Sequence, residues 1–365
     1  MNFEMSDDRR MLSDTLRRAL AERYEFEHRT QVAYAPPYHD PDAWQALADL
    51  GVLFAFATEE DGGLGGSGFD IAVVFEEIGR ALCPEPVLPA LLAVRVLADA
   101  GRDVASVLSG SVRYALALGE IDAAYDLDVI TTEARGAALT GRKSVVYGAG
   151  TAERLIVLAR DETGLALYDV AAEDVEVISY GMIDGGPAGE VILDATPGTR
   201  LGIDAPKALA DIEDLAALAL SAEALGAIDR ACEYLVDYLG TRTQFGQPIG
   251  AFQALQHRAV DLTIEVEQAR SIVIAAAAAL VGPDQRKRCA QAKHLTGRIA
   301  QLVAEEVIQM HGGIAMTWDY PVSHYAKRLV MIDHQFGDTD HHTERLIAML
   351  QEEVSGTADQ SVEEA

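Results

Sequence analysis

The chain has 365 residues, 49% hydrophobic and 24% charged, which is typical of a globular protein with one large core or several smaller ones. A formal net charge of −29 argues against a nucleic-acid partner, because binding to phosphates requires clustered Lys and Arg. The three cysteines have no CxxC spacing, which predicts neither a disulfide framework nor a zinc site and favours a reducing cytoplasm.

No segment indicates secretion or membrane insertion. The start, MNFEMSDDRRML, carries acids and arginines where a signal peptide would need a long apolar run. The apolar run AALALSAEALGAI is interrupted by Glu223, and it is too short and too polar to span a bilayer. We therefore expect a cytoplasmic protein without membrane insertion.

Residues 1–110 are predicted to form a helical domain. Apolar residues recur at helical spacing in MLSDTLRRALAERYEF, and DAWQALADLGVL contains a Gly suited to a helix end. The glycine-rich stretch EEDGGLGGSGFD is a loop that leads into the helix FDIAVVFEEIGRAL. No strand precedes this loop and no Lys-Ser/Thr follows it, so the P-loop and Rossmann interpretations both fail.

Residues 111–204 contain short β-rich runs separated by turn residues, such as KSVVY, RLIVLAR and GEVILDA. Their alternation and close spacing predict a central antiparallel β-barrel or sandwich. Residues 205–352 are helical again, with sparse breaks that predict an up-down four-helix bundle. Residues 353–365 are acidic and poor in apolar residues, which predicts a disordered tail. The predicted fold class is α+β, with helices, a β domain and a bundle in that order.

Two segments of the predicted bundle are the most specific in the chain: RTQFGQPIGAFQALQ from Arg242 and QMHGGIAMTWDYPVSHYAKRL from Gln309. They resemble the C-terminal half of the acyl-CoA dehydrogenases, and the glycine-rich loop with its helix resembles the N-terminal part of the same family. The resemblance runs over essentially the whole chain. It implies a FAD enzyme that desaturates an acyl-CoA thioester between Cα and Cβ and passes electrons to an electron-transfer flavoprotein.

In this family each flavin lies at a subunit interface, and the neighbouring subunit reaches it with Arg, Phe and Gln-Gly-Gly segments. The resemblance thus implies cofactor contacts from Arg242, Phe245, Phe252, Gln253, Gln309, Gly312 and Gly313. A guanidinium can fork onto phosphate oxygens, and glycines let backbone approach closely. The alternative is that the two phenylalanines are plain core residues and the two glycines a helix stop.

An anionic CoA would need a local basic patch on such an acidic chain. One candidate is the set Arg286, Lys287, Arg288, Lys293 and Arg298, and the other is the pair Lys327 and Arg328. The alternative is that these residues are solvated helix faces.

The other half of the expected site departs from the family. Counting from the Gly312–Gly313 pair places Phe336 at the usual catalytic glutamate, and counting back from Phe245 places Ala216 at the less common one. Neither side chain accepts a proton. The region LALGEIDAAYDLD lacks the family's Thr-Glu-Pro…Gly-Ser-Asp stretch, and Tyr147 is the only aromatic residue in KSVVYGAGTAE.

Two carboxyl groups are weak candidates for a displaced base. Glu223 stands alone in ALALSAEALG, where apolar surroundings would raise its pKa and suit it to act as a base. The alternative is that Glu223 pairs with an Arg from a neighbouring helix. Asp338 follows Phe336 closely. The adjacent His341 and His342 have no matching pair of ligands elsewhere, so no metal site is predicted.

The pattern of kept and lost motifs is similar to the small, base-less subunits of pimeloyl-CoA dehydrogenase-type enzymes and of heterotetrameric steroid-side-chain dehydrogenases. The leading hypothesis is a FAD-dependent subunit whose partner subunit supplies the glutamate. The alternatives are a self-sufficient homo-oligomer that uses Glu223 or Asp338, and a non-catalytic scaffold of the same fold. The residues leave the acyl group open.

Overall fold

A computed structural model describes residues 5–123 and 125–363, without the side chains of residues 128 and 356–363. The N-terminal part is helical: α1 Asp7–Arg23, α2 Phe26–Tyr34, α3 Pro41–Asp49, α4 Gly68–Ala81, α5 Val87–Asp99 and α6 Ala105–Leu108. Helix α4 follows the glycine-rich loop and begins with a capping box between Ser67 and Asp70. Arg9 of α1 donates to Asp70 at 2.7 Å, which fastens the first helix to this loop.

The central part is a mixed sheet, whereas the sequence predicts an antiparallel barrel or sandwich. Its strands are β1 Tyr114–Ala117, β2 Glu133–Arg135, β3 Ala138–Tyr147, β4 Arg154–Asp161, β5 Gly164–Ala171, β6 Glu176–Gly181, β7 Pro187–Pro197 and β8 Thr199–Arg200. The order is β6-β7-β3-β2-β4-β5-β8, with β1 added on β4, and both β1 and β2 run parallel to β4. The edge strands β6 and β8 do not pair with each other, so the described strands do not close into a barrel.

The C-terminal part is a bundle of long helices: α7 Ala205–Thr241, α8 Gln253–Ala279, α9 Gln285–His311, α10 Pro321–Asp333 and α11 Thr339–Glu363. A hairpin of two short strands, β9 Thr243–Gln244 and β10 Gln247–Pro248, joins α7 to α8. Helix α11 extends into 353–365, where a disordered tail is predicted, and residues 364–365 lie outside the described part. Among the described residues, no helix combines the length and apolar character that crossing a membrane would require.

Helices α4 and α7 cross with their backbones in contact. A Cβ at Gly226 would lie 1.8 Å from the carbonyl oxygen of Glu76, and one at Gly79 would lie 1.9 Å from that of Glu223. Only glycine allows so close an approach. The crossing sets Glu223 against the end of α4, beside the β6–β7 turn.

Candidate functional site

The hairpin between α7 and α8 presents an exposed aromatic ring at one end of the bundle. Phe245 and Gly246 form its tip with φ of 52° and 83°, the two left-handed positions of a type I′ turn. Phe245 is 92% exposed, and its ring meets that of Phe252 edge to face, with centroids 6.1 Å apart. A bulky residue at positive φ costs about 1–3 kcal/mol and is often retained for function. Phe245 is therefore not the plain core residue of the alternative interpretation.

The remaining predicted cofactor residues lie at the same end. Arg258, five residues into α8, pairs with Glu306, five residues before the end of α9, at 2.7 Å, so the start of α8 lies beside the end of α9. At the end of α7, Tyr238 stacks on His311 with ring centroids 4.6 Å apart. All seven predicted residues lie on these three helix ends or in the segments that adjoin them: Arg242, Phe245, Phe252, Gln253, Gln309, Gly312 and Gly313.

Arg242 is an exposed cation at this end of the bundle. Within residues 5–123 and 125–363 no hydrogen bond or ion pair engages its guanidinium, although the chain carries a net charge of −29. Gly312 and Gly313 are exposed nearby, and Gly312 has a φ of 70°. A free guanidinium beside open backbone is an arrangement that fits a diphosphate group.

Phe336 lies in the loop between α10 and α11, which hydrogen bonds fasten to α9 and α11. The ammonium of Lys293, fully buried, donates to the carbonyls of Asp333 at 2.9 Å and Gly337 at 2.7 Å. His342 Nε2–H donates to the Phe336 carbonyl at 3.0 Å. Phe336 is half-buried, packs on the core and has a φ of 53°. Ala216, at the second possible position of the base, is fully buried on α7. No proton acceptor stands at either position.

Glu223 is paired with an arginine of a neighbouring helix. Arg328 of α10 donates to Glu223 at 2.7 Å and to Asp184 of the β6–β7 turn at 2.8 Å. Burial raises the pKa of Glu223, and the charge of Arg328 opposes that rise. Burial alone would lower the pKa of Arg328, but the two carboxylates raise it above its usual value. A carboxylate held in this pair is not free to take a proton from a substrate.

Asp338 and the histidines have structural contacts. Asp338 accepts the backbone N–H of His341 at 2.8 Å in the first turn of α11, and His341 pairs with Glu213 of α7 at 2.5 Å. His342 is fully buried, and burial lowers its pKa to about 2. Among the described residues, no group of three or more His, Cys, Asp or Glu side chains could hold a metal ion.

One cavity lies between the α4–α5 connection, the sheet, α7 and α10. Its volume is about 80 Å³, and its lining includes Arg29, Tyr147, Asp184, Glu223, Arg328 and Gln335. Sites that bury small ligands usually measure roughly 300–1,000 Å³. Burial raises the pKa of the Tyr147 hydroxyl, which keeps it uncharged. A flavin ring with an acyl chain does not fit in this cavity.

A polar cluster in the sheet is not predicted by the sequence analysis, although Glu120 and Lys143 lie in segments quoted there. Glu120 accepts from Lys143 at 2.9 Å and from the backbone and hydroxyl groups of Thr131 and Thr132. Burial lowers the pKa of Lys143 to about 8, while the hydrogen bonds outweigh burial and lower that of Glu120 to about 2. The cluster fixes the β1–β2 connection on β3.

The basic residues proposed for CoA are mostly engaged within the chain. Arg286 pairs with Asp211 and Asp214, Lys287 with Glu353, and Arg298 with Glu265. Arg288 donates to Gln291. Lys293 is buried, the side chain of Arg328 is 15% exposed and ion-paired, and the ammonium of Lys327 lies 4.2 Å from the centroid of the Trp318 ring. These residues therefore do not form a free basic patch.

Comparison with known proteins agrees with this geometry. The chain matches the profile of the acyl-CoA dehydrogenase N-terminal domain over residues 6–104 and that of the C-terminal domain over residues 214–350. It is 31% identical over 326 residues to acyl-CoA dehydrogenase IpdE2 of Mycolicibacterium smegmatis, covering 89% of this chain and 93% of that protein. It is 33% identical to acyl-CoA dehydrogenase FadE34 of Mycobacterium tuberculosis over 85% of this chain, but over 43% of that longer protein.

Solved structures give the same result. The chain is similar to a variant of the Tcur3481–Tcur3483 steroid ACAD, with 29% identity, a TM-score of 0.87, and coverage of 96% of this chain and 99% of that one. It is similar to a chain of the ChsE4–ChsE5 complex from Mycobacterium tuberculosis, with 25% identity, a TM-score of 0.88 and the same coverage of 96% and 99%. Both domain profiles and a near full-length relative therefore establish that this chain belongs to the acyl-CoA dehydrogenase family, whose members use FAD to desaturate acyl-CoA thioesters.

Proposed function

We propose that this chain is the base-less subunit of a heteromeric acyl-CoA dehydrogenase. In this proposal a second subunit of the same family binds FAD and the acyl-CoA and supplies the catalytic glutamate. This chain completes that site across the subunit interface, with the residues at the end of its helical bundle.

The observation that carries the proposal is the contrast between the two parts of the molecule. Six of the seven residues that would serve a neighbour's cofactor are exposed and Phe252 is half-buried, and Arg242 has no side-chain partner within the described residues. The residues that would act on the chain's own substrate are absent or already paired. Phe336 occupies the position of the catalytic base, and Glu223 is paired with Arg328. A self-sufficient enzyme needs both halves in the same kind of subunit, whereas a partner subunit needs only the first.

Each retained group has a role that its chemistry supports. When bound, FAD accepts the hydride that leaves Cβ of the thioester. The free guanidinium of Arg242 neutralises the pyrophosphate of the cofactor, with two parallel hydrogen bonds available. The exposed ring of Phe245 at the hairpin tip would exclude water from the adjoining part of the cofactor. The backbone at Gly312 and Gly313, which carries no side chain, would let the cofactor approach closely.

Two of the relatives support a partner of the same family. One similar chain comes from a complex of two named components, ChsE4 and ChsE5. In FadE34 the match covers 43% of the protein, so more than half of that protein lies outside it and has room for another domain of this size. The word steroid in the description of the Tcur3481–Tcur3483 enzyme makes a steroid-derived acyl-CoA the first substrate class to test. We place the complex in the cytoplasm, with an electron-transfer flavoprotein as acceptor.

The test is to purify the chain alone and after co-expression with each glutamate-bearing acyl-CoA dehydrogenase subunit of the same genome. We expect a colourless, inactive lone chain, and a yellow complex that contains one flavin for each pair of unlike chains and reduces a dye acceptor with acyl-CoA. Changing the partner's glutamate to Gln should abolish the activity without loss of flavin. Stoichiometric flavin and full activity in the lone chain would contradict the proposal.

A further inference from the structure

Helix α10 connects the end of the bundle to the buried cavity. It begins at Pro321, and two residues separate it from the largely exposed segment Gly312–Trp318, hereafter the cofactor segment. His324 of α10 bonds through Nε2 to the Trp318 carbonyl at 2.9 Å, and Lys327 lies over the Trp318 ring with 4.2 Å between its Nζ and the ring centroid. The first two turns of α10 therefore hold the end of the cofactor segment.

The next residue on the same face of the helix anchors it in the cavity. Arg328 lies one turn after His324, and its contacts to Glu223 and Asp184 come from α7 and the β6–β7 turn. The side chains are 15%, 6% and 2% exposed for Arg328, Glu223 and Asp184, so water hardly competes for these charge-assisted bonds.

Arg29 of α2 ties the two contact regions together. Its guanidinium lies 3.3 Å from Nδ1 of His324 and donates to the main-chain carbonyl of Asp184 at 2.8 Å. It also donates to the carbonyl of Leu82 at the end of α4 at 3.0 Å. Helix α10 is thus held by charged groups from the N-terminal helices, the sheet and α7.

We propose that the buried Arg328–Glu223–Asp184 network is the anchor that sets the position of the cofactor segment, which makes Arg328 a positioning residue for the flavin of the partner subunit. The three side chains of the network line the cavity between α7, α10 and the β6–β7 turn, and their ion pairs join these elements. Arg328 acts only through α10 and touches no cofactor. The flavin part of this inference rests on the proposed function, whereas the coupling between the cavity and the segment does not.

A first experiment tests that coupling in the lone chain by hydrogen–deuterium exchange. The variant Arg328→Met/Glu223→Gln/Asp184→Asn, hereafter the charge-balanced variant, removes the charges together and leaves no buried carboxylate without a counter-charge. We expect the backbone amides of the cofactor segment to exchange about tenfold faster than in the wild type. The control Arg113→Met/Glu153→Gln removes an ion pair of the sheet and should leave the segment unchanged. Faster exchange confined to the surroundings of residues 184, 223 and 328 would overturn the inference.

A second experiment measures the FAD dissociation constant of the complex with its glutamate-bearing partner. We expect about tenfold weaker flavin binding for the charge-balanced variant, with unchanged assembly and only a small decrease in melting temperature. If that variant does not fold, Arg328→Lys keeps the charge, loses the forked geometry and should weaken flavin binding by a smaller factor. A wild-type complex without flavin would overturn the proposed function, whereas equal flavin affinity in wild type and variant would overturn only the role of Arg328.

Discussion

The free energy of unfolding is expected to depend strongly on Arg328. Replacing it with Met removes the cation that Glu223 meets at 2.7 Å and Asp184 at 2.8 Å. Neither carboxylate is more than 6% exposed, so solvent screens them little. Breaking a buried ion pair from one side costs about 3–5 kcal/mol, because the remaining charge is left uncompensated. That is a large share of the stability of about 5–15 kcal/mol typical of a native protein. The charge-balanced variant should lose far less.

The loss should also depend on pH in a defined direction. Burial raises the pKa of Glu223 and Arg328 opposes that rise, so removing Arg328 raises the pKa further. A carboxyl with a higher pKa in the folded state than in the unfolded state binds more protons when folded, and its destabilising effect is relieved as the pH falls. The difference between Arg328→Met and wild type should therefore shrink from about pH 7 to about pH 5.

Urea unfolding of both proteins across this pH range measures the difference directly. Two results would refute the reasoning. One is a loss below about 1 kcal/mol at neutral pH, the value expected for a solvent-exposed pair. The other is a difference that widens as the pH falls, because it would mean that the two carboxylates are not the groups left uncompensated.

Three further predictions follow from the site and its supporting loop. Phe336→Glu in the lone chain should give neither flavin binding nor dye reduction, because the cavity that the neighbouring Gln335 lines measures only about 80 Å³ and has no room for a flavin and an acyl chain; activity in this variant would count against a closed site. Arg242→Ala should weaken FAD binding by the complex by about 10–100-fold, as the loss of a charge-assisted contact implies, whereas Arg102→Ala, an exposed arginine of the α5–α6 connection, should not change the measured affinity. Burial lowers the pKa of Lys293 to about 8 from 10.5, so the unfolded state binds more protons between these values, and wild-type stability should rise with pH there by up to about 3 kcal/mol. Lys293→Met should lack that rise in urea unfolding, and parallel pH curves for the two proteins would contradict this account.

The order of helices, sheet and bundle follows from hydrophobic periodicity, but the direction of strand pairing does not. The alternation that predicts a strand is the same whether its neighbour runs parallel or antiparallel. The runs in β1 and β4 are nearly continuous in apolar residues, YALA and LIVLA, and β1 is buried at every position. Strands buried on both faces are typical of parallel pairing. The sequence carries that signal, but the close spacing of the strands without intervening helices favours antiparallel pairing and obscures it.

In the candidate site, too, one part could be predicted from the sequence and the other could not. The bundle-end residues could be located because their motif is continuous over short segments, and the helix ends then meet as the bundle requires. The partner of Glu223 could be foreseen only as some arginine of a neighbouring helix, because Arg328 is 105 residues away along the chain. The closure of the cavity depends on contacts among α7, α10 and the β6–β7 turn, which no local pattern encodes. The roles of the seven bundle-end residues stay predictions until flavin binding is measured.

The hairpin tip has a consequence for how such a protein is made in a cell. A phenyl ring exposed over 92% of its surface, next to a cation without a counter-charge among the described residues, is an unfavourable surface to leave in water. If the proposed assembly is correct, copies of this chain without a partner subunit would expose this apolar surface and would be prone to aggregation or proteolysis. Synthesis of the two subunits in equal amounts, for example by translation from one messenger RNA, would then be required to keep the unpaired form at a low concentration.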